Sequence, residues 1–194
     1  MKRGRPRLFD EDAVLGQAME FFWAHGYQGA GLTELLAHLG LGRQSFYDSF
    51  GSKREVYLRA IAHYRSTQLA QVLALLQKPG SPVANVRAAV RFFEKLARDK
   101  SQRGCFVANA MLEIKSDDDE LRHFLDETMR MLEEGFRKAL VAAKRKGELK
   151  TEKSPRALAR ALTNASIGLA VTGRLGQGPA VIADVYKGTL SMLQ

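Results

Sequence analysis

The stretch LGLGRQSFYDSFGSK, Leu39–Lys53, decides how the rest of the chain is read. Glycines open and close it, and an aromatic pair, Phe46-Tyr47, stands in its middle. It is too polar for a buried strand. It is also too short to stand alone as a helix, since helices under ~12–15 residues are marginal in water. Neighbouring elements must therefore hold it. Phe46 and Phe50, spaced i, i+4, supply the inward face of a short helix near 43–50. Arg43, Gln44, Ser45 and Tyr47 are left facing outward.

Immediately upstream, Leu32, Leu35, Leu36 and Leu39 give a second short helix an apolar face, and Gly40–Gly42 forms a tight connection. Two short helices joined by a glycine-bearing turn make a helix-turn-helix pattern, whose second helix enters the DNA major groove. The outward side chains suit that task. Arg reads guanine and Gln reads adenine through paired hydrogen bonds, while hydroxyls serve bases or phosphates. Lys53, opening the next helix, is placed to hold a phosphate together with that helix's N-terminal amides. On these residues alone, a small helical hairpin with a solvated polar face fits equally well.

Helical apolar spacing extends through the remaining chain. Asp10 is a good N-cap, with Glu11 and Asp12 at the positive end of the first helix, and Gly26 is its expected stop. Val14, Ala18, Phe21 and Phe22 form its core stripe. Ser52 caps a long helix over 53–76. KPGSP, Lys78–Pro82, is the clearest break, and helices near 83–100, 104–115, 118–146, 155–173 and 179–193 follow it. The expected fold is all-α with about nine helices. Residues 1–7 form a basic arm, 8–66 a helix-turn-helix domain and 67–194 a sensing and dimerisation bundle.

The run from Phe9 to Lys53 resembles the DNA-binding domain of TetR-family transcriptional regulators. The shared features are Phe22, Gly26 and Tyr27 at the end of the first helix, Ala37 and Gly40 at the turn, then Ser45-Phe46-Tyr47, Phe50 and Ser52-Lys53. Gly42 stands where that family usually has a Ser or Thr cap, and Gln44 replaces a frequent glycine. The arm KRGRPR, Lys2–Arg7, is suited to placing Arg3 and Arg5 in a narrow minor groove. The expected DNA-contacting set is Arg3, Arg5, Thr33, Arg43, Gln44, Ser45, Tyr47 and Lys53.

Composition narrows the alternatives. Of 194 residues, 45% are hydrophobic, which is ample core material. The net charge is +9, yet residues 1–65 hold 9 Lys/Arg against 7 Asp/Glu, so most of the excess lies away from the candidate motif. No apolar run of ~18 residues offers a membrane span. The N-terminus resembles no export signal. A single cysteine, Cys105, suits a reducing cytoplasm. His25, His38, His63 and His123 are dispersed without a zinc spacing. LGQGP, Leu175–Pro179, lacks the third glycine of a dinucleotide site, and DDDE, Asp117–Glu120, reads as a helix start. No metal, cofactor or catalytic group is expected.

For the C-terminal part, Ala157, Leu158, Ala161, Leu162, Ala165, Ile167, Gly168, Ala170 and Val171 make one helix rich in small apolar side chains for close pairing. Val181, Ile182, Val185, Tyr186, Leu190 and Leu193 give the last helix its own stripe, part of each face serving the chain's own core. In the family resembled, such helices pair with their symmetry mates, so a homodimer through 155–173 and 179–193 is expected. An apolar effector pocket with sparse polar groups is expected between, lined by Tyr64, Phe92, Cys105, Phe106, Asn109, Phe124, Met131 and Asn164. RGCFVANAMLEI, Arg103–Ile114, resembles a Gly-Cys…Asn segment of one family branch. A helix N-terminus and Arg103 beside Cys105 would raise thiol reactivity, making a redox or electrophile sensor an alternative to a small buried side chain. The expected function is a cytoplasmic homodimeric repressor that binds a palindromic operator and is released by a small-molecule or electrophile effector. The long helix from Lys53 is the expected lever. A ligand-binding or enzymatic helical bundle with a vestigial headpiece is the runner-up.

Overall fold

The computed structural model describes residues 10–115 and 117–194; Arg3, Arg5 and the rest of the arm lie outside them. Every regular element among the described residues is helical: α1 (Glu11–Gly29), α2 (Leu32–Leu39), α3 (Arg43–Phe50), α4 (Lys53–Tyr64), a π-helical stretch (Arg65–Leu69), α5 (Ala70–Leu76), α6 (Pro82–Ala97), α7 (Phe106–Glu113), α8 (Asp119–Arg145), α9 (Pro155–Arg174) and α10 (Pro179–Ser191). The expected helix over 53–76 is the one divided, between α4 and α5. The chain forms two compact units, one ending at Tyr64 and the other spanning Arg65–Gln194.

In the first unit the termini behave as their sequence dictates. The Asp10 carboxylate accepts from the amides of Asp12 and Ala13 at 3.0 and 3.5 Å. Gly26 departs from helical geometry (φ 70°), and one further turn follows it. α1 packs on α4 and α2. Phe22, Leu35, Phe46, Val56 and Ile61 are fully buried, and the Phe22 ring meets Tyr57 edge-on at 5.1 Å. Ser52 Oγ accepts from the Glu55 amide at 3.1 Å, capping α4 as expected.

In the second unit α8, α6 and α9 form the centre, with α10 against α6 and α9. Its core includes Val86, Val90, Phe93, Leu132, Phe136, Leu140, Leu162 and Leu169. Gly173 lets α9 approach α6 closely. A Cβ there would lie 2.4 Å from the Ala97 main chain, a contact no larger residue tolerates without shifting a helix. The connection after α8 also contributes: the Glu148 carboxylate accepts from Ser81 Oγ at 2.6 Å and from the Val83 amide at 3.2 Å, capping α6 from outside. The Ser81 hydroxyl is the chief reason that carboxyl is held below its ordinary pKa.

Candidate nucleic-acid interface

The outward face of α3 is built by the burial of its other side. Phe46 and Phe50 are buried with their rings 5.8 Å apart, pinning an eight-residue helix that would not persist alone. The turn leading into it is set by Gly40, whose φ of 63° is left-handed and whose amide caps α2 on the carbonyls of Leu36 and Ala37. The Leu41 amide adds a 3.1 Å bond to Leu36.

Arg43, Gln44, Ser45 and Tyr47 are all exposed on that helix, as is Thr33 in the first turn of α2. Tyr47 is 42% exposed and leans its ring edge-on against Phe46 at 5.6 Å. Gln44 Nε2 donates to Asp48 Oδ1 at 2.8 Å, so its amide is oriented along the helix surface. Asp48 is a neighbour that sequence reasoning missed. Gly42 caps α3 without a side chain, and a Cβ at that position meets only open space.

Lys53 is placed differently from the others. It is half-buried, its ammonium donates to the Tyr27 carbonyl at 2.7 Å and lies 4.6 Å from the Tyr27 ring centroid. It thereby ties the end of α1 to the start of α4. Arg59 does similar work nearby, pairing with Glu11 and stacking over Phe50 at 5.0 Å.

The residues expected to line an effector pocket divide between buried and exposed positions. Phe106 and Asn109 are buried, and Cys105, 4% exposed, is the N-cap residue of α7. Asn109 Nδ2 donates to the Arg103 carbonyl at 2.8 Å, which fixes its side chain on the loop before α7. Tyr64 is buried in the first unit, T-stacked on Trp23 at 5.2 Å. Phe92 is half-buried beside Phe93. Phe124 lies under the Arg65 guanidinium at 4.2 Å, and Arg65 also pairs with Glu127 at 2.8 Å. Met131 is 38% exposed, and Asn164 lies on the outer arc of α9, bonded to its own helix at Arg160. Both helices are amphipathic, and these positions fall outside their buried arcs.

A short helix pinned by two phenylalanines and presenting Arg, Gln, Ser and Tyr after a glycine turn is the recognition helix of a helix-turn-helix DNA-binding protein. Comparison with known proteins agrees and is more specific. Residues 14–60 match the family model "Bacterial regulatory proteins, tetR family", and residues 82–188 match "Tetracyclin repressor-like, C-terminal domain". The HTH-type transcriptional regulator YezE of Bacillus subtilis is 33% identical over 98% of this chain and 99% of its own length. The HTH-type transcriptional repressor ComR of Escherichia coli is 26% identical over 98% and 91%. A TetR-family regulator, CifR, solved as a cysteine mutant on 26bp double-strand operator DNA, superposes with a TM-score of 0.86. It is 27% identical, covering 98% of this chain and all of that one. The chain belongs to the TetR family of transcriptional regulators.

Proposed function

We propose that this regulator acts as a homodimeric repressor in the cytoplasm, with α3 reading each half of a palindromic operator. The observation that carries this reading is the division of α3: Phe46 and Phe50 are buried while Arg43, Gln44, Ser45 and Tyr47 remain exposed together. Arg43 and Gln44 are the base-reading groups; Ser45, Tyr47, Thr33 and Lys53 hold the backbone, and Arg3 and Arg5 extend into the minor groove. The names of ComR, a repressor, and of CifR on operator DNA support this choice.

Dimerisation runs through α9 and α10. Leu158, Leu162, Ile182 and Tyr186 belong to the chain's own core, but Ala157, Gly168, Val171, Val181 and Gly188 face outward. A Cβ at Gly168 or Gly188 meets nothing within the chain, so small size there serves another helix approaching. Release follows when an effector binds the DNA-incompetent conformation better than the competent one. The helical run from Lys53, with its π-helical stretch, transmits that preference. Cys105 is the second candidate trigger, since the CifR structures on DNA are those of cysteine mutants.

Electrophoretic shift of duplex DNA from the promoter region beside the coding gene tests this reading. Binding of that fragment over competitor of scrambled sequence supports it. Equal retention of every sequence overturns it.

A further inference from the structure

We propose that the hydroxyls of Thr163 and Ser166 form the polar end of the effector site, and that the effector is a small neutral organic molecule bearing an oxygen. The proposal rests on the ligand-responsive function above and names the chemistry of that ligand.

Thr163 is 4% exposed and Ser166 is fully buried, and among the described residues neither hydroxyl has a hydrogen-bond partner. That is unusual within this molecule. Thr128, Thr172 and Thr189 each donate to the carbonyl four residues back in their own helix, at 2.7, 2.9 and 2.8 Å. A buried hydroxyl in a helix has that partner within reach. Thr163 and Ser166 make no such bond, and an unpartnered buried hydroxyl is costly unless something fills the need.

Their position sets them along one edge of the buried face of α9. At 100° per residue, Leu158, Leu162 and Leu169 share one edge of the buried face of α9, within an arc of about 40°. Ala159, Thr163, Ser166 and Ala170 share the other, within about 60°. The leucine edge, together with Ala159, belongs to the hydrophobic core. The small edge adjoins the loop entering α7: a Cβ on Gly104 would lie 2.9 Å from the Ala170 carbonyl. Small side chains and two unmet hydroxyls thus occur together, beside the segment that carries Cys105 and Asn109.

The same surroundings choose the ligand's charge. Among the described residues the buried polar side chains are Asn109, Thr128, Thr163, Ser166 and Thr189, with no acid or base. The nearest cation, Arg174, has its Cβ beside Gly104 but is exposed and donates its guanidinium to the Arg103 carbonyl at 3.3 Å. An ionic ligand would therefore find no buried countercharge, and burying an uncompensated charge is far costlier than burying a neutral dipole. A ketone, alcohol or ether oxygen needs only the hydroxyls.

Calorimetric titration with 2-butanone and cyclohexanone, and with butyrate as the anionic counterpart, tests this on the full chain. The neutral probes are expected to bind wild type saturably and the Thr163→Val/Ser166→Ala protein at least about tenfold more weakly, the loss of one or two hydrogen bonds. Thr163→Ser, which keeps a hydroxyl, should retain binding. The unliganded double variant should melt at or above the wild-type temperature, because no internal bond is removed. A lower melting temperature assigns the hydroxyls a structural partner and overturns the proposal. So do undiminished binding, binding of butyrate alone, or no binding of either neutral probe. Operator binding measured on the same samples keeps the two readings apart: if DNA is bound and the probes are not, only the ligand chemistry fails.

Discussion

The ammonium of Lys53 donates to the main-chain carbonyl of Tyr27 at 2.7 Å while lying 4.6 Å from that residue's ring. One side chain at the start of α4 thus fixes the end of α1, and the ring it covers also touches Tyr57 at 4.8 Å. Lys53→Ala should therefore lower the melting temperature as well as DNA affinity. Losing a charge-assisted bond costs ~1.5–3 kcal/mol, and the affinity loss should be equal for all sequences. Thermal melts alongside salt-dependent binding check this. An unchanged melting temperature would show that the tie contributes nothing.

Gly173 allows α9 and α6 to touch. Gly173→Ala would put a Cβ 2.4 Å from the Ala97 main chain, and the resulting shift should cost ~1–3 kcal/mol. Gly29→Ala, at an exposed position outside the pairing helices where a Cβ meets nothing within 4 Å, serves as the control. Urea denaturation of the two variants at equal concentration should separate them clearly.

A Gly168→Arg substitution addresses the pairing of α9. It should leave the helical circular dichroism unchanged while shifting sedimentation from dimer to monomer. DNA affinity should then fall, since one half-site is lost. A dimer that persists would place the interface elsewhere.

Glu148 gives a pH dependence. Its carboxyl is held below the ordinary carboxylate range first by the Ser81 hydroxyl, then by the Val83 amide and Lys146. A depressed folded-state pKa contributes stability that is fully present above the unfolded value and is lost as pH falls through the folded one. Wild type should thus melt higher than Glu148→Gln near neutrality, and the gap should close as pH drops below the ordinary carboxylate range. A gap constant across that window would assign the effect to shape instead of charge.

Much of this architecture was legible because helical periodicity and glycine placement act locally. Asp10, Ser52 and Gly40 end or begin helices through groups within three or four residues. Phe46 and Phe50 announced the buried side of α3 by spacing alone. What the sequence did not show was settled by distant segments. Lys53 met a carbonyl 26 residues earlier, and Glu148 caps a helix 67 residues away. Asn164 and Met131 carry suitable side chains, but the register of α9 and α8 turns both outward. Thr163 and Ser166 gave no signal in sequence, because a helical hydroxyl is ordinarily satisfied by its own backbone. Only the fold shows that these two are not.

Selection of binding sequences from a random duplex pool, run in parallel with wild type and with Gln44→Ala and Arg43→Ala, tests whether the outer face of α3 reads DNA. Wild type should enrich an inverted repeat. Each variant should lose preference at one symmetric pair of positions, a change of ~1–3 kcal/mol at those base pairs, and keep the rest of the motif. Enrichment of no sequence by wild type, or of an identical motif by both variants, would contradict the assignment of α3 as the reading helix.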